Sequence, residues 1–287
     1  MKSLKNVLLV SVKLMKLCVP LCAIFLSACA TDVVTGRSAY NLFSVDEDVK
    51  MGNSYMKDIN KEMSKAKVRT IDSGAQADQI KEIMENLSAV CHRPNLPYRV
   101  TIFDTNIVNA AALPGGEMMV FRGLYDGTNA LCLDKDEMAA VMAHEMAHVN
   151  CRHSTEELSK TITAGAIVEV VALGMEAKDK DDYADIVRGA FWVGTLFVIP
   201  KYSRVQEEEA DKIGLKYMAM AGYDPRASVR LWKRAAEQEK KEGGSKTVGK
   251  ILSVFNTHPD SARRAKYLEA ELPQVMAIYE EAKLNGK

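Results

Sequence analysis

The sequence predicts a mainly helical α+β fold with a small β-sheet beside one central helix. Segments with apolar residues at helical spacing dominate the chain, as in Ile80, Ile83 and Leu87. Residues 98–102 instead alternate apolar and polar side chains, which is typical of a half-buried strand. Hydrophobic residues make up 47% of the chain and charged residues 26%, the balance of a globular protein rather than a disordered or repetitive one.

The charge balance argues against one class of partner. Lys plus Arg and Asp plus Glu both number 38, so the formal net charge is zero, and no long basic run offers a footprint for phosphates. Nucleic acid is therefore not expected as a partner. The chain of 287 residues is long enough for one large domain, which we expect to span residues 45–287.

The N-terminus has the features of a processed secretory segment. Four lysines flank or precede an apolar stretch at residues 17–26, and no acidic residue appears before Asp32. The stretch leads into Leu26-Ser27-Ala28-Cys29, which resembles a bacterial lipobox, where a peptidase cuts before an acylated cysteine. We therefore expect a signal peptide at 1–28, a lipid on Cys29 as the contact with a membrane, and a tether at 29–44. An ordinary signal peptide or a short anchor is the alternative, although a spanning helix needs ~20 apolar residues.

The residue after Cys29 bears on location. Ala30 stands where an inner-membrane retention signal would usually place Asp, so for a Gram-negative source we expect a lipid-anchored protein on the outer membrane that faces the periplasm. Three further cysteines, Cys91, Cys132 and Cys151, permit either one disulfide plus one thiol or three buried thiols.

The remainder of the chain divides into helices with a short run of strands between them. We expect helices at 45–65, 76–91, from Asp134 or Asp136 to 150, 161–174, 186–200, 204–221, 225–241 and 260–284, and strands at 98–102 and 117–122. The apolar runs 161–174 and 186–200 are too short to span a membrane and are interpreted as buried or interfacial helices.

Residues 144–148 form an H-E-x-x-H motif within the helix that ends at 150. Residues four apart lie on one helix face with Cβ atoms roughly 5–6 Å apart, so His144 and His148 can bind a single Zn²⁺. Glu145, at the edge of that face, can act as general base on a zinc-bound water that attacks a peptide carbonyl. A chance cluster on a solvated face is the alternative, which the small number of histidines, five in the chain, disfavours.

A third metal ligand must come from elsewhere in the chain. His153 lies five residues past His148, which does not fit the metzincin spacing of six. Among three consecutive glutamates in the helix 204–221, only Glu207 has an aspartate, Asp211, four residues later on the same face. We therefore expect Glu207 as the third ligand and Asp211 as the acceptor for the remaining N–H of a ligating histidine. The two neighbouring glutamates fit a solvated face.

An H-E-x-x-H helix followed by E-x-x-x-D on a later helix resembles the gluzincin family of the CAAX prenyl protease and the HtpX heat-shock protease, in its bacterial periplasmic lipoprotein branch. The resemblance covers residues 45–270 and implies a zincin fold and a zinc endopeptidase with one Zn²⁺ per chain. It also implies that the strand after Gly115 forms the edge of the cleft and binds substrate backbone by strand addition. The residues concerned are Gly116, Glu117, Met118 and Met119. The segment Thr257-His258-Pro259 resembles a family element whose histidine points at the oxyanion, although His258 could equally start a helix.

The same resemblance implies a substrate class, namely unfolded or misassembled cell-envelope polypeptides. A function of another class stays open, a zinc-dependent envelope assembly factor or chaperone that binds its clients with little routine proteolysis. A metal-free, degenerate relative is a third possibility. The complete ligand set of His144, His148 and Glu207 favours the peptidase.

Overall fold

The computed structural model describes residues 29–128, 130–176, 202–241 and 260–287. The predicted signal peptide, the apolar run 186–200 and His258 lie outside the described residues. The chain divides into two compact units. One contains Val45–Ser154 and Tyr202–Lys287, and the other contains the residues up to Ser44 together with those that follow from Thr155 to Lys201.

The described part of the chain is mainly helical, which confirms the predicted α+β class. In chain order its helices are α1 (Val45–Lys65), α2 (Ala75–Ser88), α3 (Lys135–Asn150), α4 (His153–Glu176), α5 (Arg204–Met220), α6 (Arg226–Lys241) and α7 (Ser261–Leu284). The strands are β1 (Cys29–Thr31), β2 (Ser38–Tyr40), β3 (Arg99–Phe103), β4 (Ala110–Ala112) and β5 (Glu117–Phe121). Short 3₁₀ turns precede and follow β5.

Helix α3 forms the centre of the larger unit. Its N-cap residue is Asp134, whose Oδ1 accepts a hydrogen bond from the Glu137 backbone N–H at 2.8 Å. Every residue from Glu137 to Asn150 is buried, so the helix is covered on all faces and not on one face alone. The reason is that α5 packs along α3 while α2, α6 and β4 cover its other sides. The polar residues of this helix from Glu137 onward therefore lie inside the protein.

The sheet of the larger unit has the strand order β3-β5-β4, with β5 parallel to β3 and antiparallel to β4. The prediction that the residues after Gly115 form the cleft edge is therefore wrong. Glu117, Met118 and Met119 lie in the central strand, with Gly116 just before it, and all are buried. The outer strands are β3 and β4, and the sequence reasoning missed β4 because three alanines carry little strand propensity.

The smaller unit contains a strand pair where a tether was expected. Strands β1 and β2 pair antiparallel, and their connection is closed by the Asp32 carboxylate, which accepts the backbone N–H of Val34 and of Thr35 at 2.9 Å each. Arg37 then pairs with Glu156 of α4 through two hydrogen bonds of 3.0 and 2.8 Å. Order therefore begins before residue 45, where it was expected to start.

Two features of the described residues complete the fold. Cys91, Cys132 and Cys151 are buried thiols that form no disulfide, which matches the second of the two expected cysteine arrangements. Burial raises the pKa of the Cys132 thiol well above its usual value. Among the helices that the structure describes, none combines the length and apolar character needed to cross a membrane.

Candidate metal centre

The three side chains predicted to bind a metal meet at one point. The Nε2 atoms of His144 and His148 lie 3.0 Å apart. Glu207 places its Oε2 3.5 Å from Nε2 of His144 and its Oε1 3.7 Å from Nε2 of His148. All three residues are buried. One atom from each lies within 4.8 Å of the other two, which is close enough for the three side chains to hold one metal ion.

The spacing of these atoms suits zinc. In a tetrahedral site with ligands ~2.0–2.1 Å from the metal, neighbouring ligand atoms lie about 3.4 Å apart. The two imidazole nitrogens are 3.0 Å apart, and each has one of the two Glu207 oxygens at 3.5 or 3.7 Å. Two imidazole nitrogens and one carboxylate oxygen are a ligand set of catalytic zinc that leaves a fourth position for water or substrate. The donor set therefore fits one Zn²⁺.

The first turn of α5 places Glu207. The Ser203 hydroxyl accepts a hydrogen bond from the Gln206 backbone N–H at 3.3 Å, and the Gln206 side chain accepts one from the Ser203 N–H at 2.8 Å. This reciprocal capping box satisfies backbone donors that a helix start leaves unpaired. Glu207 follows directly, with its own N–H donated to the Ser203 carbonyl at 3.0 Å.

Asp211 lies one turn beyond Glu207, against His144, as the sequence predicted. Its Oδ1 is 2.9 Å from Nδ1 of His144. Because Nε2 of His144 points to the ligand cluster, Nδ1 is the nitrogen that carries the proton and donates to this carboxylate. Asp211 therefore sets the orientation of one ligand.

Arg264 of α7 is buried between the two carboxylates. Its Nε donates to Oδ2 of Asp211 at 2.8 Å, and its Nη1 lies 3.5 Å from Oε2 of Glu207. The guanidinium also lies 3.5 Å from the ring centroid of Trp232, a cation–π contact. Burial opposes ionisation of Asp211, but Arg264 and His144 together outweigh it, so the pKa of that carboxyl stays below its usual value. Tyr267 donates a further hydrogen bond to Asp211.

His148 is enclosed by other rings. Tyr202 stacks on it with ring centroids 3.9 Å apart and an interplanar angle of 18°, while the Tyr202 hydroxyl is 2.8 Å from Oγ of Ser154. On its other nitrogen, Nδ1 of His148 lies 2.9 Å from Nδ1 of His153. Nε2 of His153 lies 3.1 Å from Oε2 of Glu209. Glu209, expected on a solvated face, instead contacts a buried histidine.

Glu145 lies beside the outer strand β4 of the sheet. It is 3% exposed, and its Oε2 accepts a hydrogen bond from the Ala112 backbone N–H at 3.0 Å. In the antiparallel ladder, Ala111 is hydrogen-bonded to Met119, so the backbone groups of Ala110 and Ala112 face away from β5. The carboxylate therefore stands between the ligand pair and the outer edge of β4.

Some parts of this site were not predicted. The capping box has a sequence signature, Ser203 followed three residues later by Gln206, that could have identified it. No pattern distinguishes Glu209 from its neighbour Glu208 without knowledge of where the His153 ring lies. His258 lies outside the described residues, so its oxyanion role stays a prediction. Acylation of Cys29 also stays a prediction.

The comparison with known families is decisive here. A model described as Peptidase family M48 matches residues 74–272, which include the H-E-x-x-H motif, Glu207 and Asp211. The chain belongs to this family. Membership in a peptidase family agrees with the predicted enzyme class, a zinc metalloendopeptidase, and the donor set of His144, His148 and Glu207 fits the expected zinc.

Individual relatives point in the same direction. The chain is 30% identical to the mitochondrial metalloendopeptidase OMA1 of Schizosaccharomyces pombe over 84% of its length and 66% of the relative's. It is 30% identical to the human mitochondrial metalloendopeptidase OMA1, over 63% of this chain and 33% of the relative. It is 25% identical to the β-barrel assembly-enhancing protease of Yersinia pestis, over 78% of this chain and 43% of the relative. The chain thus spans between a third and two thirds of the length of these relatives.

These relatives overturn the expected location. The sequence led us to expect a lipid-anchored protein on the bacterial outer membrane, facing the periplasm. The relatives with at least 30% identity are instead named as mitochondrial proteins. That expectation was wrong because it rested on a short N-terminal pattern that the matched region 74–272 does not include. The narrower assignment to a periplasmic lipoprotein branch falls with it.

Proposed function

We propose that this protein hydrolyses peptide bonds in unfolded or misassembled polypeptides, with His144, His148 and Glu207 as metal ligands and Glu145 as general base. The position of Glu145 carries the proposal. Its carboxylate lies on the ligand-bearing helix and also contacts the outer strand β4 of the sheet through Ala112. Family membership supports the reaction class.

The chemistry divides between the ion and the chain. A bound Zn²⁺ would lower the pKa of a water molecule and polarise the carbonyl that is attacked. Glu145 would take the proton from that water and transfer it to the leaving amine. Asp211 keeps the His144 ring oriented during this exchange.

The outer edge of β4 supports the substrate class. Ala110 and Ala112 direct their backbone groups away from β5. Their N–H groups are bonded to the side chains of Asn109 and Glu145, so an extended peptide can pair with this edge by donating to the two carbonyls. Pairing through main-chain hydrogen bonds accepts many side chains but requires an extended backbone. A folded segment cannot present one, so polypeptides that have lost or never reached their fold are the substrates that suit this edge.

The direct test is Glu145→Gln in the zinc-loaded full chain with casein as substrate. The glutamine keeps an oxygen for the Ala112 N–H but loses the basic carboxylate, so we expect kcat to fall at least about 100-fold with one zinc still bound. Glu269→Gln removes a surface carboxylate that pairs with Lys233 and serves as the control. Undiminished casein cleavage by Glu145→Gln would refute the proposal. Cleavage lost together with zinc would refute the assignment of Glu145 as a base that is not a ligand.

A chaperone or assembly role predicts a different result. One relative is named as a β-barrel assembly-enhancing protease, which joins both activities in one protein. If the Glu145→Gln chain prevents aggregation of a reduced client as well as the wild type does, binding rather than cleavage accounts for that protection.

A further inference from the structure

His153 is fully buried although it is neither a predicted ligand nor part of the apolar core. Its exposed fraction is 0%. It follows Arg152, which adopts a left-handed backbone with φ of 57° that is uncommon for residues other than glycine. The Arg152 side chain is held there by two bonds to the Asp48 carboxylate, of 2.5 and 3.0 Å. The sharp turn between α3 and α4 brings the His153 ring back against His148.

The contacts form a chain of three side chains that ends at the metal position. Nδ1 of His148 lies 2.9 Å from Nδ1 of His153, and Nε2 of His153 lies 3.1 Å from Oε2 of Glu209. The ring centroids of the two histidines are 5.0 Å apart at 73°. Both distances are those of hydrogen bonds.

Ligation decides the direction of these hydrogen bonds. A neutral imidazole that binds a metal through Nε2 carries its proton on Nδ1. Nδ1–H of His148 must then donate, and Nδ1 of His153 must accept. The proton of His153 is consequently on Nε2, from where it is donated to Glu209.

We propose that His153 and Glu209 are positioning residues that hold His148 in the ligating tautomer and orientation and strengthen it as a ligand. This inference rests on the proposed role of His148 as a ligand. The arrangement mirrors the other ligand, because His144 donates to Asp211 directly whereas His148 reaches Glu209 through one intervening imidazole. Partners of this kind typically change metal affinity 10- to 100-fold when removed.

Two substitutions at position 153 separate the hydrogen bond to His148 from the hydrogen bond to Glu209. In His153→Asn the amide oxygen occupies the place of Nδ1 and still accepts from His148, but nothing reaches Glu209. In His153→Gln the longer amide reaches Glu209, but the acceptor for His148 is lost. We expect the zinc dissociation constant, measured by competition with a chelating dye on the full chain, to rise roughly 10- to 100-fold in His153→Gln and less than about tenfold in His153→Asn.

Glutamate 209 offers a matched comparison one residue away. Glu209→Gln removes the charge that faces His153, and we expect the zinc dissociation constant to rise at least about threefold. Glu208→Gln removes a neighbouring carboxylate that pairs instead with Arg263 at the surface, and we expect no change. Equal zinc affinity for these two variants would overturn the role of Glu209.

A spectroscopic reading on the unaltered protein keeps the proposal testable if a variant fails to fold. In long-range ¹H–¹⁵N spectra of the zinc-loaded chain, which has five histidines, we expect His148 as the Nδ1–H tautomer and His153 as the Nε2–H tautomer. His153 observed as the Nδ1–H tautomer or doubly protonated would overturn it. If the wild type cleaves casein and its zinc affinity equals that of His153→Gln, this inference alone is overturned. A wild type that binds no zinc overturns the proposed function as well.

Discussion

Gly214 of α5 lies so close to His144 of α3 that a Cβ atom added to it would be 2.9 Å from the His144 backbone nitrogen. The other nearby atoms, at 3.0 Å, are the backbone carbon and oxygen of Ala143. Because these are main-chain atoms of a buried helix, no side chain can move aside, and the two helices must separate. Gly214→Ala is therefore expected to disturb the site, since His144 and Glu207 stand on these two helices.

We expect Gly214→Ala to lower the free energy of unfolding by about 1–3 kcal/mol, the usual cost of overpacking. Zinc affinity should fall with it, because the distance between ligands of α3 and α5 increases. Urea denaturation and chelator competition measure the two effects. Lys216→Ala, on the exposed face of the same helix, is the control. Wild-type zinc affinity in Gly214→Ala would show that helix spacing does not set the ligand geometry.

A second prediction concerns the buried pair of Asp211 and Arg264. Asp211→Asn leaves the buried Arg264 guanidinium without its hydrogen-bonded carboxylate, with only Glu207 3.5 Å away as a negative neighbour, a change that costs about 3–5 kcal/mol of unfolding free energy. His144 also loses a charged acceptor, so zinc affinity should fall roughly 10- to 100-fold. Glu271→Gln breaks the more exposed pair with Lys212 and should change stability by less than about 1 kcal/mol. Chemical denaturation that gave the same result for both variants would contradict this account.

A third prediction tests strand addition at β4. In an antiparallel pair only every second residue bonds to the neighbouring strand. A set of peptide substrates, each N-methylated at one amide around the cleaved bond, should therefore show an alternating loss of kcat/KM of about tenfold or more, equivalent to ~1.4 kcal/mol. Methylation far from the cleaved bond is the control. A uniform response along the peptide would mean that the edge at Ala110 and Ala112 does not bind the substrate backbone.

A fourth prediction concerns acid and the smaller unit. Burial opposes ionisation of Glu156, but Arg37 and Lys160 outweigh it and lower its pKa from 4.5 to about 2. Because the pKa is lowered in the folded form, the pairing stabilises that form above pH 4.5, and its contribution is lost as the pH falls from 4.5 towards 2.

The measurement for Glu156 is amide hydrogen exchange in β2, corrected for the intrinsic effect of pH. In the wild type, protection of the 38–40 amides should be high at neutral pH and fall below pH 4.5, the usual pKa of a glutamate. In Glu156→Gln, protection of these amides should be low both at neutral pH and below pH 4.5. Glu157→Gln removes a neighbouring carboxylate that binds Lys160 only, and it should behave like the wild type. Unchanged protection in Glu156→Gln would show that this ion pair does not hold β2.

Several helices could be predicted closely because they carry a repeating apolar pattern over several turns, whereas α4, predicted at 161–174, runs from His153 to Glu176. The helix predicted at 204–221 is α5, Arg204–Met220, and the one predicted at 45–65 is α1. Strand β4 could not be predicted, because alanines specify neither period nor strand, and its pairing with β5 depends on residues six or more positions away. The wrong edge strand follows directly from that omission.

The candidate site shows the same division. His144, His148, Glu207 and Asp211 were predictable because their spacing along two helices is itself the geometric requirement. The contacts of Tyr202, His153 and Glu209 were not, because each depends on the path of the chain after α3. The left-handed Arg152 that directs this path has no signature in the sequence.

The three buried thiols have a consequence for how the protein can be handled. Cys91, Cys132 and Cys151 form no disulfide in the described residues, so no bond among them is open to a reducing agent. The zinc site, by contrast, joins α3 and α5, and a bound ion stabilises the folded form by mass action. A chelator rather than a reducing agent is therefore the reagent expected to weaken this protein.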